Sequence, residues 1–410
     1  MRFCKDSRDA RENPLGNFPV WPAPTGDFHA LQKCNVHRGI SSFRLGRRNI
    51  TFHQPGPSAP RVHRHRCSHD RIMSLPTVKV AAVHAAPVFL NREATLQKAL
   101  AFINEAARNG AELIAFPESF IPGFPVWAAL WSPIDNHDWF RKMAANSVLV
   151  DGPEIAALAA EAARLGVFVS MGFSESTRVS VGCLWNANVL IGDDGTPLNH
   201  HRKLVPTFYE KMVWAPGDGA GLRVADTRIG KIGGLICGEN TNPLARYALI
   251  AQGEQIHLSS WPAIWPTRKP VSGENFDNLA ANRIRASAHS FEAKAFGILC
   301  AGYLGRDMVD QLSIDPRAAE VLEQTPRAAT QFISPTGSGL GDVLQDEEGI
   351  AYARFDLNGC VEPKQFHDVV GYYNRFDVFD LKINRRRLAP VTWADDAQTQ
   401  RAAGQTVVDA

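Results

Sequence analysis

From residue 77 onward the apolar positions alternate between two spacings. Residues 77–84 (TVKVAAVH) form a nearly unbroken β-branched and apolar run, the pattern of a strand buried on both faces. Asn91 then stands where a helix cap belongs, ahead of Leu96, Leu100, Ile103 and Ala107 at i, i+4, i+7 and i+11. Gly110 ends that helix, and 112–116 (ELIAF) reads as the next strand. The Ala-rich stretch 153–165, with Ile155, Leu158 and Leu165 inward, is a second helix; Gly166 closes it and strand 167–172 follows. Further strands are predicted at 183–191, 222–227, 231–236, 255–260 and 297–301, with helices starting near Pro243 and spanning 275–295. Residues 331–334 and 350–356 read as a hairpin joined by a Pro-Thr-Gly turn and a loop, while 306–329, polar and interrupted by Pro, read as an insertion or lid. The alternation predicts a layered α/β or α+β domain. It contains no internal repeat, no Rossmann glycine fingerprint and no phosphate-binding loop.

The first 72 residues break the pattern. They show neither period, and Pro recurs at 14, 19, 22, 24, 55, 57 and 60. They carry 13 Lys and Arg against 5 Asp and Glu, whereas 73–410 carry 31 against 37. Asp6, Asp9, Glu12, Asp27 and Asp70 argue against a transit peptide, and there is no apolar stretch of the kind a secretory signal needs. His63, His65, Cys67 and His69 are candidate zinc ligands, but their spacing matches no standard finger, so charge-rich coil is expected and no metal site is assigned. Met73 reads as the natural start, because Met-Ser-Leu-Pro leads straight into the first strand. The expected organisation is a basic extension over 1–72, one domain over 73–383, and a polar tail over 384–410 that opens on Arg385, Arg386 and Arg387.

Composition narrows the class. With 410 residues, 45% apolar and 21% charged, the chain can bury a large core. No apolar run approaches the roughly 20 residues that span a bilayer, so no membrane partner is expected. The formal net charge of +2 conceals a basic excess confined to the leader, which gives no reason to expect a nucleic-acid partner. Seven Cys without paired spacings are too sparse for a disulfide scaffold and favour a reducing, cytoplasmic setting.

Three segments each place a reactive residue just after an apolar strand. In Phe116-Pro117-Glu118-Ser119, a carboxylate at the mouth of a buried strand is partly desolvated, which raises its pKa and suits acid–base work. In the run from His201 to Thr207, Lys203 offers a fixed cation for developing negative charge. In the run from Gly233 to Asn240, Cys237 sits at a strand-to-helix turn, where the helix dipole and free N–H groups are expected to favour thiolate. Each alone has an ordinary reading as a cap, a solvated basic run or an inert buried thiol.

Together, and in this order, Glu118, Lys203 and Cys237 resemble the Glu-Lys-Cys triad of the nitrilase superfamily of carbon–nitrogen hydrolases. The similarity covers about residues 77–383. It includes Phe-Pro-Glu-Ser, Arg-Lys-Leu-x-Pro-Thr, Ile-Cys-Gly-Glu-Asn-Thr-Asn-Pro and the late Ile333-Ser334-Pro335-Thr336-Gly337. The resemblance implies a four-layer αββα sandwich, dimers that stack further into spiral filaments, and no cofactor. It implies Cys237 as nucleophile, Glu118 as general base, Lys203 as stabiliser of the tetrahedral species, and Glu210 as a second glutamate that positions groups in the pocket.

Glu239, two residues after the cysteine, and the stretch from Lys211 to Gly219 resemble the nitrilase branch, since amidases and carbamoylases typically carry Asp at that position. Gly238 departs from the Trp that many nitrilases carry there, so the pocket is expected to be shaped differently. The implied reaction is hydrolysis of a small organic nitrile by two waters to the carboxylic acid and ammonia, through a thioimidate and an acyl-enzyme. An amidase, a cyanide-hydrating enzyme and a non-catalytic assembly protein on the same fold are the alternatives. Trp127, Trp131, Trp185, Trp261 and Trp265 lie near the matched blocks; of these Trp127, Trp261 and Trp265 are candidates for lining the substrate site.

Overall fold

The computed structural model describes residues 74–268 and 276–391. The leader over 1–72, with its His63, His65, Cys67 and His69, and the tail beyond 391 lie outside the described residues. Twelve strands and nine helices are described in the following order. Strand β1 (Thr77–His84), helix α1 (Arg92–Arg108) and β2 (Leu113–Ala115) come first. Helices α2 (Trp127–Leu130), α3 (His137–Asn146) and α4 (Pro153–Leu165) precede β3 (Phe168–Glu175), β4 (Trp185–Ile191) and β5 (Pro197–Arg202). Strands β6 (Ala225–Thr227) and β7 (Gly230–Ile236), helix α5 (Pro243–Ile250) and β8 (Ile256–Trp261) follow. Then come α6 (Asn278–Ala293), β9 (Phe296–Ala301), α7 (Arg306–Leu312), α8 (Pro316–Gln324), β10 (Thr330–Ile333), β11 (Gly339–Leu344), β12 (Gly349–Asp356) and α9 (Val361–His367).

The strands form two six-stranded sheets, ordered β12-β1-β2-β3-β4-β5 and β11-β10-β9-β8-β7-β6. In each, three parallel strands at the centre (β1, β2, β3 and β7, β8, β9) are flanked by antiparallel ones. The unbroken apolar runs have a direct cause: both faces of each sheet are covered. On β1, Ala81 and Val83 point to a core shared with Leu96, Ile103 and Leu158 of α1 and α4. Its alternate residues Val78, Val80 and Ala82 meet Ile232, Ile256, Ile298 and Phe332 of the other sheet. That second sheet turns Leu235 toward Ala245 and Leu249 of α5, and Leu299 toward Ala286 of α6. The order of layers is helix, sheet, sheet, helix, as the resemblance implies. Asn91 does cap α1, its side chain accepting from the Ala94 N–H at 3.0 Å, and Gly166 ends α4 in the left-handed conformation at φ 67°.

Several local expectations change. Residues 331–334 pair with β11, not with 350–356; β12 instead crosses to the other sheet and lies antiparallel to β1. A strand at 339–344 escapes the sequence reading because its exposed Gly and Asp positions weaken the alternation. The basic run His200, His201, Arg202 is not solvated but ends β5, an edge strand, with His200 and Arg202 against the buried Glu175 and His201 against Glu239. The long helix starts at Asn278, where Asp277 caps it, rather than at 275. The 306–329 segment is no polar lid. Met308 and Leu312 of α7, with Ala318, Val321 and Leu322 of α8, are buried against Phe89, Phe124 and Trp127. Short helices carry their apolar residues three or four apart, which linear composition averages away. The start of the tail is also pinned: Arg387 donates to the His200 carbonyl at 2.7 Å and pairs with Asp218 at 3.2 Å.

Because Leu312 is fully buried in that cluster, Leu312→Ala is expected to cost about 2–5 kcal/mol in urea unfolding. A change within ~0.5 kcal/mol, the size expected of an exposed loop position, would restore the lid reading.

Candidate active site

Topology brings the three sequence blocks to one place. Glu118 lies just beyond the carboxyl end of β2, Cys237 directly follows β7, and Lys203 directly follows β5. The carboxyl ends of parallel strands, where loops diverge, are where α/β proteins build sites. The Lys203 ammonium donates to Glu118 Oε1 at 2.8 Å and to Glu210 Oε2 at 2.6 Å, and all three side chains are fully buried. Cys237 Sγ, a Glu118 carboxylate oxygen and a Glu210 carboxylate oxygen lie within 4.8 Å of one another. The four residues singled out by sequence therefore meet.

Local structure holds each of them. The Asn186 carboxamide on β4 donates to Glu118 Oε1 at 2.6 Å, and the Asn186 carbonyl accepts from the Lys203 N–H at 2.8 Å. One residue thus sets the spacing between base and cation. Thr207 caps the short turn Phe208–Met212, and Glu210 accepts back from the Thr207 N–H at 2.9 Å, so the second glutamate is part of its own helical cap. Ser119, Phe208 and Cys237 have φ of 47°, 49° and 51°. The left-handed region costs a residue with a Cβ ~1–2 kcal/mol. Only two other described non-Gly residues, Leu90 and Lys294, share it, so the strain concentrates at the site.

The turn Cys237–Thr241 is held from behind. Asn240 donates from Nδ2 to the carbonyls of Leu235 at 3.2 Å and Cys237 at 3.0 Å. That leaves its Oδ1 to face His257 Nε2 at 2.8 Å, which must carry hydrogen there. His257 Nδ1 meets Glu254 Oε1 at 2.8 Å, and His289 Nε2 meets Glu254 Oε2 at 2.6 Å. The side is held as well: Glu239 accepts from His201 Nε2 at 2.8 Å, from the Ile236 N–H at 2.9 Å, and from the Leu204 N–H. Asn186, Asn240, His257 and Glu254 are not evident from sequence, because nothing in their local spacing sets them apart.

The electrostatics revise one expectation. Burial, then Glu118, push the Cys237 thiol well above its usual pKa, and Lys203 only partly opposes them. The helix-terminus argument for a standing thiolate fails because desolvation inside the core outweighs it. Burial also raises Glu118, to about 7, against the pull of Lys203. For Lys203, burial alone would lower the pKa, but Cys237, Glu118 and Glu210 hold it well above the usual range. The arrangement is a protonated lysine, a thiol, and a neighbouring carboxyl able to take the thiol proton near neutral pH.

Above Cys237 opens a cavity of about 670 Å³. Trp261 and Trp265 line it, as does Phe276; Trp127 does not, being buried in the cluster with Phe124 and Trp214. Trp261 is the last residue of β8, and Trp265 stacks on Tyr209 at 5.6 Å between centroids. A Cβ at Gly238 would stand 2.7 Å from Thr207 Oγ1, so the bare glycine lets the cap threonine pack on the nucleophile turn.

Among the described residues two clusters bring three potential metal ligands within 4.8 Å: Glu118, Glu210 and Cys237, and Glu254, His257 and His289. In the first, the Lys203 ammonium already supplies the cation for both carboxylates. In the second, Glu254 engages one nitrogen of each imidazole, while His289 Nδ1 has no hydrogen-bond partner among the described residues.

Fold and site define an αββα sandwich with a buried acid–lysine–thiol set beneath an aromatic cavity. The carbon–nitrogen hydrolase family profile matches residues 79–365, and the chain belongs to that family. It is 32% identical to a nitrilase of Penicillium rubens, across 78% of this chain and 97% of that protein. It is 34% identical to an arylacetonitrilase of Hypocrea virens, across 80% and 98%, and 33% identical to an aliphatic nitrilase of Rhodococcus rhodochrous, across 77% and 82%. The fold resembles that of the C. elegans NitFhit protein, with TM-score 0.57 and 16% identity, covering 78% of this chain and 70% of that one. It likewise resembles a carbon–nitrogen hydrolase from Helicobacter pylori, with TM-score 0.57 and 18% identity, covering 74% and 97%.

The buried Glu254 gives a test of the network behind the nucleophile. Burial would raise its pKa, but charge and hydrogen bonds from His257 and His289 lower it from 4.5 to about 2. Burial and His289 push His257 itself down to about 4, so the downward direction for Glu254 is held by the hydrogen bonds it accepts as well as by charge. A carboxylate depressed in this way favours the folded chain above about pH 4.5, and that contribution is lost as pH falls toward about 2. Glu254→Gln should therefore unfold at lower urea than the parent near neutral pH, with the gap narrowing as pH falls through that window. A gap independent of pH would show that the carboxylate charge contributes nothing.

Proposed function

We propose that this chain is a nitrilase: it converts an organic nitrile and two waters to a carboxylic acid and ammonia. The observation that carries the reading is the contact of Lys203 with both glutamates within reach of the Cys237 thiol, in a chain whose relatives are nitrilases across most of their length. Glu118 takes the thiol proton as sulfur attacks the nitrile carbon, then gives it to the nitrile nitrogen, forming a thioimidate. A first water, deprotonated by Glu118, adds to that carbon. The nitrogen, protonated in turn, leaves as ammonia and a thioester remains. A second water, activated the same way, breaks the C–S bond, releasing the acid and restoring the thiol. Lys203 stabilises the negative charge that develops at each addition, and Glu210 holds Lys203 in place.

The roles separate in kinetics. Cys237→Ala is expected to abolish acid and ammonia release, and Glu118→Gln and Lys203→Ala to lower kcat/KM on the order of 10²-fold or more. Glu118 must be ionised to accept the first proton and its pKa lies at about 7, so kcat/KM should rise with pH through about 7. Lys203 stays protonated well beyond that, so its titration imposes no fall just above neutrality. Substantial nitrile hydrolysis by Cys237→Ala would overturn the assignment.

We also infer self-association into dimers that extend into filaments, and residence in the cytoplasm. Tyr372, Phe376 and Phe379 are 76%, 74% and 73% exposed, an unusual set of aromatic side chains to leave in water and one suited to a second copy. Free Cys183, Cys237, Cys300 and Cys360 suit a reducing compartment. Among the described residues no helix is long and apolar enough to cross a membrane. Light scattering after size exclusion should give at least twice the chain mass of 45.0 kDa; a monomer at micromolar concentration would overturn the association.

A further inference from the structure

The cavity over Cys237 is aromatic on one side and cationic on another. Helix α6 turns Asn278, Asn282 and Arg285 toward it, at i, i+4 and i+7. Arg285 is only partly exposed. Its Nε–H donates to the Ala281 carbonyl at 3.0 Å, and its guanidinium lies 4.7 Å from the Trp261 ring centroid and 5.4 Å from that of Phe276. No carboxylate among the described residues pairs with it, and its terminal N–H groups have no protein acceptor there. Other partly buried arginines here have acceptors: Arg202 pairs with Glu175 and Arg246 with Glu292, while Arg327, without a carboxylate, donates to the Leu322 and Thr325 carbonyls at 2.7 and 3.2 Å. Asn282, one turn away on the same face, is buried and likewise makes no side-chain hydrogen bond among the described residues. Lys211, exposed at the mouth of the same cavity, has no acidic partner among the described residues either.

The acidic residue that lines the cavity, Glu239, is already engaged by His201 and two backbone N–H groups. Among the described residues the charge left uncompensated in the cavity wall is therefore positive. A partly desolvated guanidinium without a counter-ion is costly unless a ligand supplies one. Its planar edge matches a carboxylate with two parallel hydrogen bonds, and Asn282 adds a further donor. Arg285 also lies within electrostatic reach of Cys237, each shifting the other's titration, so an anion held there shares the cavity with the reacting centre.

We propose that the preferred substrates are nitriles bearing a carboxylate, with the anion bound by Arg285 and Asn282, an apolar spacer lying along Trp261 and Trp265, and the nitrile carbon at Cys237. Arg285 is a specificity-determining residue. The inference rests on the nitrilase reading for its chemistry, but the anion site can be tested without turnover.

The test uses three pairs of nitriles: 3-cyanopropanoate, 5-cyanopentanoate and 4-(cyanomethyl)benzoate, each against the analogue with hydroxymethyl in place of carboxylate. In at least one pair the carboxylate should be favoured about tenfold or more in kcat/KM, as a charge-assisted bidentate contact provides. That ratio should fall to near one in Arg285→Met and recover in part in Arg285→Lys. In parallel, calorimetry on Cys237→Ala should detect tighter binding of the same carboxylate, and this preference should disappear in Cys237→Ala/Arg285→Met. Hydrolysis of neutral nitriles with no pair favouring the anion would overturn this proposal and leave the nitrilase reading standing. No hydrolysis of any nitrile, with Arg285-dependent carboxylate binding retained, would sink the nitrilase reading and keep the anion site. A preference that survives in Arg285→Met would overturn the assignment to Arg285, and the absence of any binding preference would overturn the site itself.

Discussion

One buried ammonium organises this molecule's site. Lys203 has no exposed side-chain surface, and a lone charge so placed would cost several kcal/mol. It is tolerated because Glu118 and Glu210 approach it from two different segments, at 2.8 and 2.6 Å. Each glutamate is in turn tied to backbone or amide groups: Glu118 to Asn186, Glu210 to the Thr207 N–H. The lysine cannot move without stranding two buried anions, and neither glutamate can move without stranding the lysine. The geometry near Cys237 is therefore fixed before any ligand arrives, which is the condition for electrostatic stabilisation without reorganisation.

The same cluster explains why a raised thiol pKa is compatible with nucleophilic chemistry. Two carboxylates beside Cys237 disfavour a thiolate, and burial adds to the penalty. Those forces also raise Glu118 to about 7, so the proton lost by sulfur has an acceptor of rising basicity close by. A thiolate then forms only as the proton moves to Glu118, whose neutralisation leaves the fixed Lys203 charge to balance the new negative charge. The site holds its reactivity in a coupled proton inventory and not in one pre-ionised group. An exposed, standing thiolate would be open to oxidation, whereas Cys237 is only 5% exposed.

How far the sequence was legible follows the same physics. The central strands were readable because burial on both faces leaves unbroken apolar runs, as in β1, and α1 and α4 because one stripe of each is apolar. Edge strands were not: β5 ends in His200, His201 and Arg202, and β11 exposes most of its residues, so neither shows an apolar run. Helices α7 and α8 were lost because each buries only two or three side chains. At the site, the motif-bearing residues Glu118, Lys203, Glu210 and Cys237 were legible through their spacing and resemblance. Asn186, Asn240, His257 and Arg285 were not, since each acts across long sequence separations: Asn186 reaches Glu118 over 68 positions and His257 reaches Asn240 over 17. The thiolate expectation failed for a related reason. Helix-terminus effects are local and can be read from sequence, but desolvation depends on everything packed around the group.

The site is astride two sheets, and this sets a final constraint. Glu118 and Lys203 follow strands of one sheet, while Cys237 and Trp261 belong to the other. The sheets meet through apolar side chains such as Val80 and Ile298, and such contacts fix the spacing of the layers but give little resistance to small sliding. A slide of one ångström would alter the thiol–carboxylate approach on which proton transfer depends. Glu239 supplies the directional element that the apolar interface lacks. Rooted in the turn after β7, it accepts from Ile236 beneath it and reaches across to His201 and the Leu204 N–H on either side of Lys203. Burial would raise its pKa, yet His201 and the two backbone donors hold it below the usual carboxylate value, so it remains a charged acceptor for all three. The length of the Glu239 side chain lets its carboxylate touch both sides at once from that turn. The residue two places beyond the nucleophile is therefore a staple between the sheets, and it holds the cysteine in register with its base.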